Sequence, residues 1–168
     1  IVPIAVKESA VDEDGCLRPT TDLEGLASLK LAFDENGTVT AGTASPLTDG
    51  AAATLVCSLE YASANGLKPM ARIASIAVSG CKPETMGLGP IFSSRKALSR
   101  AGISAQDLDV IEINEAFATQ SIASIRDLEL DAAKVNIDGG AIAIGHPLGA
   151  TGARITGKAA QVLQREGG

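Results

Sequence analysis

The 168-residue chain has no tryptophan, and aromatic residues make up only 2% of it. Alanine and glycine take up the space instead, which suits closely packed helices and strands. A basic excess is also lacking. The net charge is -6, which argues against a nucleic-acid backbone as the main ligand and leaves room only for a local basic patch. No apolar run approaches the roughly 20 residues that cross a bilayer as a helix. Cysteine is scarce: Cys16, Cys57 and Cys81 are odd in number and widely spaced. That pattern makes neither a disulfide framework nor a metal site, and points to reduced thiols in an intracellular compartment. The chain opens on Ile1 rather than Met, so targeting signals are not readable. What remains is a globular composition, 45% hydrophobic, long enough for one domain with a substantial core.

Turn-rich sequence fills the first 45 residues, with Asp12-Glu13-Asp14-Gly15, Arg18-Pro19 and Asp34-Glu35-Asn36-Gly37. A composition shift follows Ser45-Pro46. Leu55, Leu59 and Ala62 recur at helical spacing, which predicts a helix over 49–65. Thr48 or Asp49 would cap it, and Gly66 would end it. Residues 71–79 read as a buried strand, 93–101 as a short helix stopped by Gly102, and Ser104-Ala105-Gln106-Asp107 as a capping box. Residues 110–113 and 134–137 read as further strands. Helices are expected over 116–128 and 149–165. Strands alternating with helices argue for α/β. Cys57 falls in an apolar helical pattern and reads as a small core residue. Cys81 follows a strand beside Lys82, a neighbour able to activate a thiol. Arg95, Lys96 and Arg100 form either a solvated helix face or a phosphate contact.

The one histidine, His146, lies in Gly139-Gly140-Ala141-Ile142-Ala143-Ile144-Gly145-His146-Pro147-Leu148-Gly149-Ala150-Thr151-Gly152. Glycine lets backbone approach a ligand closely, and histidine moves protons near neutral pH. The same His-Pro pair could also simply mark a turn before a helix. Upstream, Asn114-Glu115-Ala116-Phe117-Ala118 sits where a strand ends and a helix begins, the place where open α/β sheets put ligands.

These two stretches resemble the histidine and asparagine motifs of the thiolase family. Thr38–Ser45 looks like the family's loop into the acyl-CoA site, Asp49–Ala53 like the start of the helix after it, and Met86-Gly87-Leu88-Gly89-Pro90 like its "MGxGP" turn. The family's two cysteine motifs, one holding the nucleophile, are absent, so the chain is identified as an internal piece of a thiolase. The resemblance implies a layered α/β/α fold, incomplete, with a mixed sheet missing its last strands. It implies the tail of a loop domain over 1–45, the last helix of the amino-terminal domain over 46–68, and a truncated carboxyl-terminal domain over 69–168. A strand such as 71–79 would then lack a neighbour, and an uncovered apolar strand edge invites aggregation.

The implied activity is acyl-CoA C-acyltransfer: condensation of acetyl-CoA, or thiolytic cleavage of a 3-ketoacyl-CoA. By resemblance His146 serves the cysteine as base and donates to the thioester oxygen, while Asn114 holds a water that donates to the same oxygen. Ala41 and Ser45 match positions along the pantetheine arm of CoA, and Met86 and Phe117 match positions of the acyl pocket. Gly145 and Gly149 would let the His146 loop approach the thioester. Glu115 either orients the asparagine loop or favours a helix amino end electrostatically. No cofactor is implied, CoA and its thioesters being substrates. The implied partners are acyl-CoA, CoA and further copies of the chain (dimer or tetramer), without nucleic acid or membrane. The implied location is the cytoplasm in a bacterium, with the mitochondrial or peroxisomal matrix also open. Two other readings stand beside this one: a ketosynthase-type condensing enzyme, and a non-catalytic relative that binds CoA or lipid.

Overall fold

The structure, a computed structural model, describes residues 3–7 and 9–167. A hairpin opens it, β1 (Ile4–Val6) pairing antiparallel with β2 (Ser9–Val11). Helices α1 (Leu23–Ala27) and α2 (Leu59–Ala64) come next. Both are capped at the amino end by a side-chain oxygen, Asp22 on the Gly25 N–H and Ser58 on the Tyr61 N–H, which satisfies a donor the helix leaves orphaned. A 3-10 segment, Pro83–Leu88, runs into α3 (Gly89–Ala101). Then come α4 (Ala118–Asp127), the short α5 (Ala141–Ile144) and α6 (Thr151–Glu166).

Local signals located most of these ends. Gly102 stops α3 in the left-handed conformation at φ 71°, and Gly66 does the same past α2 at φ 64°. Both bonds of the capping box form between Ser104 and Asp107, around a single 3-10 turn, Ala105–Asp107.

Two expected elements differ. The helix expected over 49–65 is present only as α2. Leu55 and Val56 stand 71% and 67% exposed, and a helix whose apolar side finds nothing to pack against gains too little to propagate. Cys57 lies in that stretch and is exposed rather than in the core. The strand expected at 71–79 has no ladder partner among the described residues. Hydrogen bonds with α3 hold it instead: Ser75 Oγ donates to the Ala97 carbonyl of that helix, and from the helix Lys96 Nζ donates to the carbonyl of Val78 and Arg100 Nη1 to that of Ile76. Arg95 pairs with Asp127 at 2.5 Å. These three cations are therefore engaged in holding the fold. Ile76 and Val78 remain 68% and 81% exposed.

The strands expected at 110–113 and 134–137 meet through one parallel rung, Ile111 with Val135. The Ile111 N–H donates to Lys134 and the Asn136 N–H to Ile111. A 3-10 turn, Ala132–Lys134, leads in, and Asn136 takes φ 47°. The ladder therefore stops after one rung. The Asn136 side chain extends it: Oδ1 accepts from the Ile113 N–H and Nδ2 donates to the Ile113 carbonyl, both at 2.9 Å. The small core is built from Ile91, Leu128, Ala141, Ala150 and Val162, with Ser121, Ser124 and Thr151 buried among the helices.

An ion-pair cluster ties α6 to the loop before α5. Asp138 accepts a two-pronged contact from Arg165 at 2.8 and 2.9 Å and also pairs with Lys158. The Arg165 guanidinium first, then Lys158, holds the Asp138 carboxyl well below the ordinary carboxylate range. A carboxyl depressed by folding adds stability that is present above the unfolded value, about 3.9, and lost as the pH falls toward the folded one. Asp138→Asn is therefore expected to lower the unfolding midpoint at neutral pH. The gap to the parent should close as the pH drops below about 4. A gap that stays constant across thermal scans at several pH values would show that the pair adds no charge-dependent stability.

Candidate active site

The chain leaves the parallel rung at Ile111, passes Ile113, and reaches Asn114 and Glu115. Glu115 is the anchor between two loops. Its Oε1 accepts from Asn136 Nδ2 at 2.8 Å and its Oε2 from the Ile142 N–H at 3.1 Å. One carboxylate thus joins the asparagine loop to the start of the glycine-rich loop, and of the two readings of Glu115 the one that orients the asparagine loop fits these contacts. Gly140 is buried against that carboxylate, and a Cβ there would collide with it. The Asn114 side-chain oxygen is buried and has no hydrogen-bond partner among the described residues.

The glycine-rich loop makes the short α5 and turns at Gly145, where φ is 90° and ψ 167°. Essentially only glycine adopts that conformation. A Cβ on Gly145 would also run into the side chain of Thr48. The turn presents His146 half-buried on one wall of an open cleft of about 550 Å3. Residues 146–149 form that wall and 47–50 the other. His146 Nδ1 lies 2.7 Å from Thr151 Oγ1. Thr151 is the first residue of α6 and only 4% exposed. Its hydroxyl donates to the Pro147 carbonyl at 3.0 Å, which also accepts the Ala150 and Thr151 N–H groups. The imidazole is thus braced at Nδ1, leaving Nε2 for the cleft.

On the other side of the asparagine loop, Ala44 and Phe117 form one antiparallel rung. The Ala118 N–H donates to Thr43, and both the N–H and hydroxyl of Ser45 donate to the Ala116 carbonyl, at 3.1 and 3.2 Å. Phe33 meets Phe117 edge to face, ring centres 6.5 Å apart. Residues 43–45 and the asparagine motif therefore form one unit.

The residues singled out in the sequence gather unevenly. Gly145 and His146 share the cleft loop with Gly149, Asn114 is tied to that loop through Glu115, and Ser45 and Phe117 are bonded neighbours. Ala41 is exposed outside the cleft walls. Met86 lies on the 3-10 segment at the α3–α4 side, 72% exposed, and does not line the cleft. Sequence reasoning missed Thr48, Asn136 and Thr151. Only Thr151 left a usable signal, a hydroxyl one helical turn beyond the His-Pro pair, where it can back-bond.

The thiolase C-terminal domain family matches residues 67–168, and the thiolase N-terminal domain family matches residues 1–60. The chain is 52% identical to the 3-ketoacyl-CoA thiolase of Marinobacter nauticus over 94% of its own length and 41% of that protein. It is 52% identical to the acetyl-CoA acetyltransferase of Paracoccus denitrificans over 98% of its length and 43% of the relative. It therefore spans about two-fifths of the length of the relatives it matches. The crystal structure of human mitochondrial 3-ketoacyl-CoA thiolase superimposes with a TM-score of 0.90 at 43% identity, covering 99% of this chain and 43% of the human one. The Bacillus anthracis acetyl-CoA acetyltransferase gives the same TM-score and identity. The architecture is accordingly part of their layered α/β/α fold. With both thiolase domains represented in its sequence, its backbone and its two loop motifs, the chain belongs to the thiolase family.

Proposed function

We propose that this chain supplies the proton-transfer and oxyanion side of an acyl-CoA C-acyltransferase, which condenses acetyl-CoA or cleaves 3-ketoacyl-CoA by thiolysis. The observation that carries the reading is the placement of His146. A glycine-only turn holds its ring on the wall of an open cleft, with Nδ1 braced and Nε2 unengaged among the described residues. A related human thiolase has been crystallised in complex with CoA.

Both half-reactions of a thiolase place negative charge on a thioester oxygen. Donors already aimed at that oxygen lower the barrier by about 3–4 kcal/mol each. His146 takes the proton of the acyl-accepting thiol and, once protonated, donates to the thioester oxygen. The thiol itself belongs to a motif that this sequence does not contain. Asn114 holds a water on the same oxygen, and its buried amide oxygen, without a partner among the described residues, suits that task. CoA and acyl-CoA are substrates and no resident cofactor is called for. The complete enzyme works as a homo-oligomer, and apolar residues left uncovered here, such as Leu55 and Val78, fit burial against further polypeptide. No helix among the described residues is long and apolar enough to cross a membrane. A bacterial cytoplasm or an organelle matrix would suit the proposed substrates.

The test is Asn114→Ala in the complete enzyme. Turnover in thiolysis should fall about 10²-fold with little change in the Michaelis constant, since the contact strengthens in the transition state. Unchanged turnover with a raised Michaelis constant would reduce Asn114 to a binding residue and undo the oxyanion assignment.

A further inference from the structure

We infer that Thr151 is a positioning residue that fixes the tautomer of His146, keeping the hydrogen on Nδ1 and the lone pair on Nε2. A threonine hydroxyl has one hydrogen and can accept as well. Both contacts of Oγ1 are hydrogen bonds at once only if that hydrogen goes to the Pro147 carbonyl, 3.0 Å away; aimed at Nδ1, it would leave two acceptor oxygens facing each other. The oxygen is then left as an acceptor, and 2.7 Å away stands His146 Nδ1. Nδ1 must be the donor for that contact to be attractive. In a neutral imidazole the other nitrogen is then bare.

Burial makes the arrangement binding. Thr151 is 4% exposed, Ala150 beside it is 4% exposed, and Thr151 begins a 16-residue helix. Its hydroxyl therefore has little access to water as an alternative partner, and an unmade bond in such a place is costly.

The chain Nδ1–H to Thr151 to Pro147 also works unchanged for the imidazolium, where both nitrogens carry hydrogen. A proton arriving at Nε2 therefore requires no rearrangement behind the ring. The inference rests on the proposed thiolase reading only for the use made of Nε2. In the thiol-activation step the S–H bond breaks, its electron pair stays on sulfur, and the proton forms the Nε2–H bond. Thr151 gains and loses nothing. That same Nε2–H then points at the substrate oxygen, so one nitrogen serves first as base and then as donor.

Because His146 is the only histidine, its ring nitrogens can be assigned without ambiguity. Long-range proton–nitrogen correlation spectra of the 15N-histidine-labelled chain, recorded at alkaline pH, read the tautomer directly. The parent should show a protonated Nδ1 and a bare Nε2. Thr151→Ser keeps the hydroxyl and should match the parent. Thr151→Val keeps the shape without the acceptor, and the ratio of Nδ1–H to Nε2–H should fall about fivefold or more. A parent spectrum dominated by Nε2–H overturns the inference, as does a Thr151→Val ratio equal to the parent's. Should Thr151→Val not fold, the parent and Thr151→Ser spectra still decide, because either one showing Nε2–H overturns it. The spectra do not depend on turnover. A correct tautomer beside an inactive complete protein would therefore refute the thiolase reading alone.

Discussion

Replacing His146 with alanine in the complete enzyme is expected to lower kcat/KM for thiolysis by about 10⁴-fold or more. Two separate losses add. The thiol loses the group that takes its proton, and the developing oxyanion loses a donor whose removal elsewhere costs about 10²–10³ in turnover. The fold should survive the change. The loop around His146 is set by Gly145, by the Ile142 bond to Glu115 and by the turn through Pro147, none of which uses the imidazole. His146→Asn sharpens the result, since an amide can donate but cannot take the thiol proton. It should recover part of the loss, and only part. Thiolysis by His146→Ala within a few-fold of the parent would remove the histidine from the chemistry.

Gly145→Ala is expected to be the most damaging small change for the loop itself. At φ 90° and ψ 167° the backbone occupies a region costing a side-chain-bearing residue about 1–3 kcal/mol. The added methyl must also displace Thr48, whose Cβ lies 2.9 Å from where it would sit. The two costs are separable. Gly145→Ala should lower the unfolding midpoint by several degrees, and Thr48→Gly added to it should restore only the steric share. Thr48 lies on the cleft wall opposite His146. Pushing it aside should therefore reduce activity even where the protein still folds. An unfolding midpoint unchanged by Gly145→Ala would mean the turn is not as constrained as its geometry indicates.

What could be read from the sequence was what neighbouring residues decide together. Gly102 ends α3, Ser104 and Asp107 close their box, and α4 and α6 begin within two residues of where periodicity put them. The asparagine and histidine motifs were legible as words, while Glu115 was legible only as a choice between orienting its loop and favouring a helix end. Misreadings arose where the outcome depends on residues far along the chain. Residues 49–58 have a helical pattern but no surface among the described residues to bury it against. Residues 71–79 look like a strand, yet their carbonyls are met by Lys96 and Arg100 on a later helix. The partners of Glu115 lie 21 and 27 residues downstream. Nothing near Glu115 announces them. Thr151 was hidden for a different reason. Its spacing from Pro147 signals the back-bond, but the contact to the His146 ring depends on how the loop between them turns.

Asn136 meets three demands at once. It tolerates a left-handed backbone at φ 47°, its amide stands in for a strand rung on both polar groups of Ile113, and its second amide hydrogen steadies Glu115. Glycine would meet the first demand alone. Aspartate could accept from the Ile113 N–H but would face the Ile113 carbonyl and the Glu115 carboxylate with no hydrogen to give. Glutamine carries the right groups on a longer arm, without asparagine's ease in the left-handed region. Substitutional freedom at this position is therefore close to nil, although the residue touches no reactant. A plain polar letter, 22 residues beyond Asn114, is where drift in this sequence would first let the asparagine loop come loose.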